Sequence, residues 1–164
     1  MKTLALTSLF ASVFFSFSSF ANFDVGSDAP AVQLPTLNQG IETVATINSP
    51  AVAGQKVVLE FFSTGCSYCI ENMKNVREFS KEFADKAIFR LVGIDRQEQL
   101  TRDFAASNPD FIVAVDSARV AKKAYLIQET PTTFVIGADN KILYIGLGSW
   151  DEVEKTKIRE LLSE

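Results

Sequence analysis

Cys66 and Cys69 are the only cysteines in a chain of 164 residues that contains no histidine. Their spacing, Cys66-Ser67-Tyr68-Cys69, amounts to about one helical turn, which brings the two Cα atoms to roughly 5 Å and within reach of a disulfide. Closing so short a loop removes little entropy from the unfolded chain, so the pair is a poor staple and opens at little cost. It suits exchange chemistry better than reinforcement. Zinc asks for four ligands, and two Cys without His would need carboxylates or a second chain to close a site. Ile70 stands where the haem-attachment motif needs His, and a Cys–His hydrolase has no imidazole to use. No metal and no cofactor is expected. A purely structural disulfide is the plain alternative.

Two further places are candidates for chemistry. Glu60 interrupts an apolar run shortly before Cys66, and an ionised carboxylate there is costly unless it is paired or functional. On a strand it falls on the face opposite Phe61, underneath a helix that would carry Cys69. Burial would raise its pKa and fit it to accept the Cys69 proton; an edge-facing, water-bonded Glu is the dull reading. Thr130-Pro131 precedes a strand, where Pro often serves only as a turn residue. Were that peptide bond cis, the Thr130 backbone would be presented beside the cysteines for an extended substrate to pair with.

The elements that must position these residues follow from pattern. Residues 57–62 form a nearly continuous apolar run, the signature of a central strand buried on both faces. From Cys66 to Lys86 the period changes: Met73, Val76, Phe79, Phe83 and Ala87 recur at helical steps. Cys66 then lies at a helix N-terminus, where unpaired N–H groups and the macrodipole favour a thiolate. Strands are expected over 87–94, 111–115, 132–136 and 141–144, and helices over 97–107, 117–125 (Asp116 as N-cap) and 150–162 (Ser149 or Asp151 as cap). Residues 22–50 are punctuated by Gly26, Pro30, Pro35, Gly40 and Pro50, and strand-like pieces at 31–34 and 41–47 predict a hairpin-like extension. The order β-α-β-α-β-α-β-β-α gives a mixed central sheet with helices on both faces, an α/β fold.

Bulk properties narrow the class. The chain is 47% hydrophobic and 22% charged with a net charge of -4, which is ordinary globular chemistry and gives no general attraction to nucleic acid. Residues 1–21 have the layout of a secretory signal: a positive start at Lys2, an apolar run, then Ser19-Phe20-Ala21 as a small-x-small site. The domain expected is 22–164, periplasmic after export. An uncleaved segment acting as an anchor is the alternative.

Several segments together resemble the thioredoxin superfamily, and within it the periplasmic TlpA/ResA-type thiol–disulfide oxidoreductases. They are Val25-Gly26-Ser27-Asp28-Ala29-Pro30, Leu34-Pro35, Gly54-Gln55-Lys56-Val57-Val58-Leu59, Val120-Ala121 with Tyr125, and Thr130 to Ile136 ahead of Gly146. The resemblance implies a thioredoxin fold with an N-terminal β-hairpin extension, Cys66 as attacking thiol, Cys69 as resolving thiol, and Pro131 as a cis-proline facing them. Glu60 matches the buried acid of thioredoxins. Thr130, Pro131 and Tyr68 would touch substrate. It also implies client proteins with thiols or disulfides, a membrane electron donor of the DsbD/CcdA kind, and a monomer. The departures are Gly65 where the family usually has Trp, and Asn72 where it often has an acid. Glu60-Phe61-Phe62-Ser63 looks like the DsbA-type oxidases, and Tyr68 resembles the dipeptide Tyr of disulfide isomerases. A thiol oxidase or isomerase is therefore the second hypothesis, and a non-catalytic binding or assembly module the third. No Thr stands three residues before Cys66, as peroxidatic sites of the superfamily usually require.

Overall fold

The structure, a computed structural model, describes residues 24–164. The expected signal segment therefore lies outside the described residues. A single sheet of seven strands runs in the order β2-β1-β5-β4-β3-β6-β7. At its centre β3 (Lys56–Phe62) pairs in parallel with β4 (Ala87–Gly93) and antiparallel with β6 (Thr132–Ile136). Every residue of β3 after Lys56 is buried, which is why its sequence reads as a continuous apolar run rather than an alternation. Val58 and Phe62 point into one core with helix α1 (Ser67–Glu82) and helix α4 (Glu152–Ser163). Val57, Leu59 and Phe61 point into the other, with Ala121 and Tyr125. Glu60 leaves the strand on the first of these faces, as alternation predicts.

The parallel half continues through α2 (Glu98–Ser107), β5 (Ile112–Val115) and α3 (Val120–Ala124); β7 (Ile142–Leu147) completes an antiparallel pair with β6. The N-terminal hairpin is present as β1 (Gln33–Asn38) and β2 (Ile41–Thr46). Its two-residue turn places Gln39 and Gly40 at φ 50° and 78°, the backbone a tight hairpin requires. The hairpin extends the sheet by pairing β1 with β5. Arg90 on β4 donates to the carbonyls of Ile47 and Ser49, and the Tyr125 hydroxyl to that of Pro30 at 2.8 Å, so the extension is tied to the domain.

Several boundaries differ from expectation for identifiable reasons. The first strand begins at Gln33 rather than residue 31 and runs through Pro35. Pairing to β5 starts only at Thr36, so Pro35 occupies a stretch with one neighbour and removes no bond to β5. Helix α1 ends at Glu82, and Phe83 and Ala87, though in period with it, belong to its cap and to β4. Helix α3 begins at Val120 after Arg119 adopts left-handed backbone. Asp116 is not its N-cap residue, yet its buried carboxylate accepts from the N–H groups of Ala121 and Lys122 and does the work of one. Asp151 caps α4 in a capping box with Glu154, leaving Trp150 in the preceding loop. Among the described residues, no helix is long and apolar enough to cross a membrane.

Candidate active site

Cys66 is the N-cap of α1, with extended backbone at φ -94° and ψ 106°. Its sulfur is bonded to that of Cys69 across a Cα separation of 5.2 Å, as the spacing requires. The same sulfur accepts the Cys69 N–H at 3.1 Å, so one of the unpaired donors of the first helical turn is aimed at Cys66. Cys66 is partly exposed while Cys69 is fully buried. The two sulfurs therefore occupy unequal positions, one reachable from outside and one behind it.

The loop leading to Cys66 is held by Asp95, which lies just beyond β4. Its carboxylate accepts from Ser63 Oγ at 3.0 Å, Thr64 N at 3.1 Å, Thr64 Oγ1 at 3.2 Å and Thr101 Oγ1 at 3.1 Å. The bonds from Ser63 and Thr64 fix the chain immediately before the disulfide. Sequence reading does not single out Asp95, because nothing in the local pattern says where a residue after a strand will point.

The Thr130–Pro131 peptide bond is cis. The Thr130 carbonyl oxygen lies 3.4 Å from Cys66 Sγ, so the backbone ahead of β6 faces the Cys66 end of the disulfide. Pro131 itself is buried and Thr130 half-buried. A cleft beside them is bounded by Tyr68, Thr130, Pro131, Leu147 and Ser149. Tyr68 is 67% exposed and Leu147 59%, so this cleft has an apolar rim open to solvent. Ser149 Oγ donates to the Tyr68 carbonyl at 2.9 Å, fixing the rim to the start of α1.

Glu60 is completely buried. Asn72 Nδ2 donates to its Oε1 at 2.8 Å, and Thr133 Oγ1 donates to its Oε2. Burial pushes the Glu60 carboxyl up to about 7, and the two hydrogen bonds from Thr133 and Asn72 hold it from going higher. Asn72 sits three residues after Cys69 on the same helix, so Glu60 is linked to the helix that carries both sulfurs. Asn72, Thr133 and Trp150 are the residues that sequence reading leaves out of the site. A signal exists for the first: Asn72 shares the buried face of α1 with Cys69, Met73 and Val76, and a polar residue in an apolar stripe has to be satisfied by something.

The Redoxin family matches residues 24–162 of this chain. The chain is 26% identical over 133 residues to the thioredoxin-like protein YneN of Bacillus subtilis, covering 79% of this chain and 75% of that protein. It is 25% identical over 154 residues to the thiol-disulfide oxidoreductase ResA of Bacillus cereus, covering 90% and 80% respectively. Among solved structures, a putative thiol:disulfide interchange protein DsbE from Chlorobium tepidum superposes with a TM-score of 0.72 at 21% identity over 87% of this chain and 98% of that one. StoA from Bacillus subtilis superposes with a TM-score of 0.63 at 20% identity, over 83% and 98%; at these identities the likeness establishes the fold. With the family match spanning the described domain and the cysteine pair set at the start of α1 opposite a cis-proline, the chain belongs to the Redoxin family, as a thiol–disulfide oxidoreductase of TlpA/ResA type within the thioredoxin superfamily.

Proposed function

We propose that this protein is exported and reduces disulfides of client proteins by dithiol exchange. The Cys66 thiolate attacks a client disulfide, forming a mixed disulfide and releasing one client thiolate. Cys69 then gives its proton to the Glu60 carboxylate and attacks the Cys66 sulfur. The Cys66–Cys69 bond forms, the mixed disulfide breaks, and the second client sulfur leaves as a thiolate. Two electrons pass from the protein to the client, and a membrane electron donor of the DsbD/CcdA kind returns them. An extended client segment would lie in the cleft against Thr130 and Pro131, with Tyr68 at its rim.

The observation that carries this reading is the unequal placement of the two sulfurs: Cys66 caps α1 within 3.4 Å of the Thr130 carbonyl, and Cys69 is buried behind it. Residues 1–21 support export, because their charge, apolar run and small-x-small end match a secretory leader. The TlpA/ResA-like frame supports the reducing direction. The DsbA-like Glu60-Phe61-Phe62-Ser63 strand favours a second reading, an oxidase. Equilibration of the Cys66–Cys69 couple against glutathione separates the two. A reductase gives a potential near that of thioredoxin, about -270 mV, whereas a value near the -120 mV of DsbA would overturn the proposal.

A further inference from the structure

Four segments meet around Glu60, and both side chains that donate to its carboxyl group accept a hydrogen bond from Trp150. Trp150 N donates to Asn72 Oδ1 at 3.0 Å, and Asn75 Nδ2 donates to the same oxygen at 3.0 Å. With its oxygen occupied in this way, Asn72 can only turn its amide N–H group toward Glu60. On the other side, Trp150 Nε1 donates to Thr133 Oγ1 at 2.7 Å. That hydroxyl has therefore accepted already, and its own proton is directed at Glu60 Oε2. The indole and the backbone N–H of a single residue thus set both donors. Asn75 Nδ2 also donates to the Trp150 carbonyl at 3.3 Å, and the Trp150 ring packs edge-on against Phe79 at 5.3 Å, so Trp150 is itself held to α1.

Trp150 directly follows Gly148 and Ser149, which border the cleft beside Cys66. We propose that Asn72 and Trp150 are positioning residues for Glu60, and that Trp150 ties the proton held by Glu60 to the loop at 148–150 that a client would contact. The catalytic meaning of this arrangement rests on the reading that Glu60 accepts the Cys69 proton. Asn72 matters because it can donate: an ionised carboxylate at the same place could not, and would repel Glu60. The surroundings contain few competing charges. From α4, Glu154 raises Glu60 through its like charge. From β7, the Tyr144 hydroxyl donates to Glu154 at 3.3 Å. Leu91, which pairs with Glu60 on β4, and Met73 and Val76 on α1 are apolar.

Trp150 is the only tryptophan in the chain, so its fluorescence reads this network directly. The experiment uses the full oxidised chain, in which neither cysteine titrates, and follows Trp150 emission from about pH 5 to about pH 9. The transition is expected near pH 7 and to disappear in Glu60→Gln. Asn72→Asp adds a like charge and Thr133→Val removes a donor to the ionised form, so each should move the midpoint upward by about one pH unit or more. Should Asn72→Asp fail to fold, Thr133→Val carries the test alone. A midpoint that stays put or falls in these variants overturns the proposal, as does a transition that survives in Glu60→Gln. An upward midpoint shift matched by the same upward shift in the pH profile of mixed-disulfide resolution supports both claims. An upward midpoint shift with an unchanged resolution profile supports the positioning role and overturns the proton-acceptor reading on which its catalytic meaning rests.

Discussion

Replacing Cys69 with Ala is expected to turn the protein into a trap, in which client proteins accumulate as mixed disulfides with Cys66. Replacing Cys66 with Ala should leave no covalent adduct at all and reduce exchange to the uncatalysed background. The asymmetry follows from placement. Only Cys66 is accessible, and only its sulfur receives an N–H from the first turn of α1, the one belonging to Cys69. With Cys69 absent, release of the adduct depends on an outside thiol, and uncatalysed rearrangements of that kind take minutes to hours. Non-reducing gel electrophoresis of the two variants after exposure to a disulfide-bearing client reads the result. Equal trapping by both, or trapping by Cys66→Ala alone, contradicts the assigned order of attack.

Glu60→Gln carries the second large effect. A positioned general base typically contributes at least about a hundredfold, and resolution of the mixed disulfide should slow by that order. In the unaltered protein the carboxylate must be ionised to take the proton, so the resolution rate should climb as pH rises through about 7; the variant should lack that limb. Stability offers an independent reading of the same group. The Glu60 carboxyl is raised above its ordinary value of 4.5 because burial favours the neutral form. The stability that preference contributes is fully present below 4.5 and is lost as pH rises through about 7. The loss amounts to something on the order of 3 kcal/mol. Denaturation midpoints measured across that range should fall in the unaltered protein and stay nearly level in Glu60→Gln. Unchanged resolution together with an unchanged pH slope of stability would remove Glu60 from the mechanism.

The architecture was open to sequence reading where one pattern answered one physical demand. Residues 57–62 read as a buried strand because both faces are covered, and the stripe of Met73, Val76 and Phe79 read as a helix because one face is. The cysteine pair was legible because its spacing and its place between strand and helix say the same thing. Ends were less legible: Phe83 and Ala87 stay in period with α1 after the helix has stopped, since packing against the same core continues whatever the backbone does. Asp116 serves α3 from four residues before it, a geometry that no N-cap pattern encodes.

The candidate site divides in a similar way. Glu60 stands out because a carboxylate in an apolar strand is costly. Its partners are not near it in sequence: Thr133 lies across the sheet, and Trp150 stands in a loop that periodicity alone assigns to a helix. Asn72 reads along the chain as a departure from a family pattern. Only three-dimensional placement shows that this departure gives the buried acid a donor instead of a second charge. Asp95 belongs to the same class, a residue whose role depends on a loop brought to it by β3 and β4 pairing in register.

What matters most is that the fully reduced protein should present one reactive sulfur and hide the other. Brief treatment with iodoacetamide at neutral pH, with the modified residues mapped by mass spectrometry, tests this most directly. Cys66 is expected to be modified faster than a cysteine of the unfolded chain, because the N-terminal turn of α1 favours its thiolate, while Cys69 stays unmodified until the protein is denatured. Modification of Cys69 first, or a Cys66 that resists the reagent in the folded protein, would contradict the account.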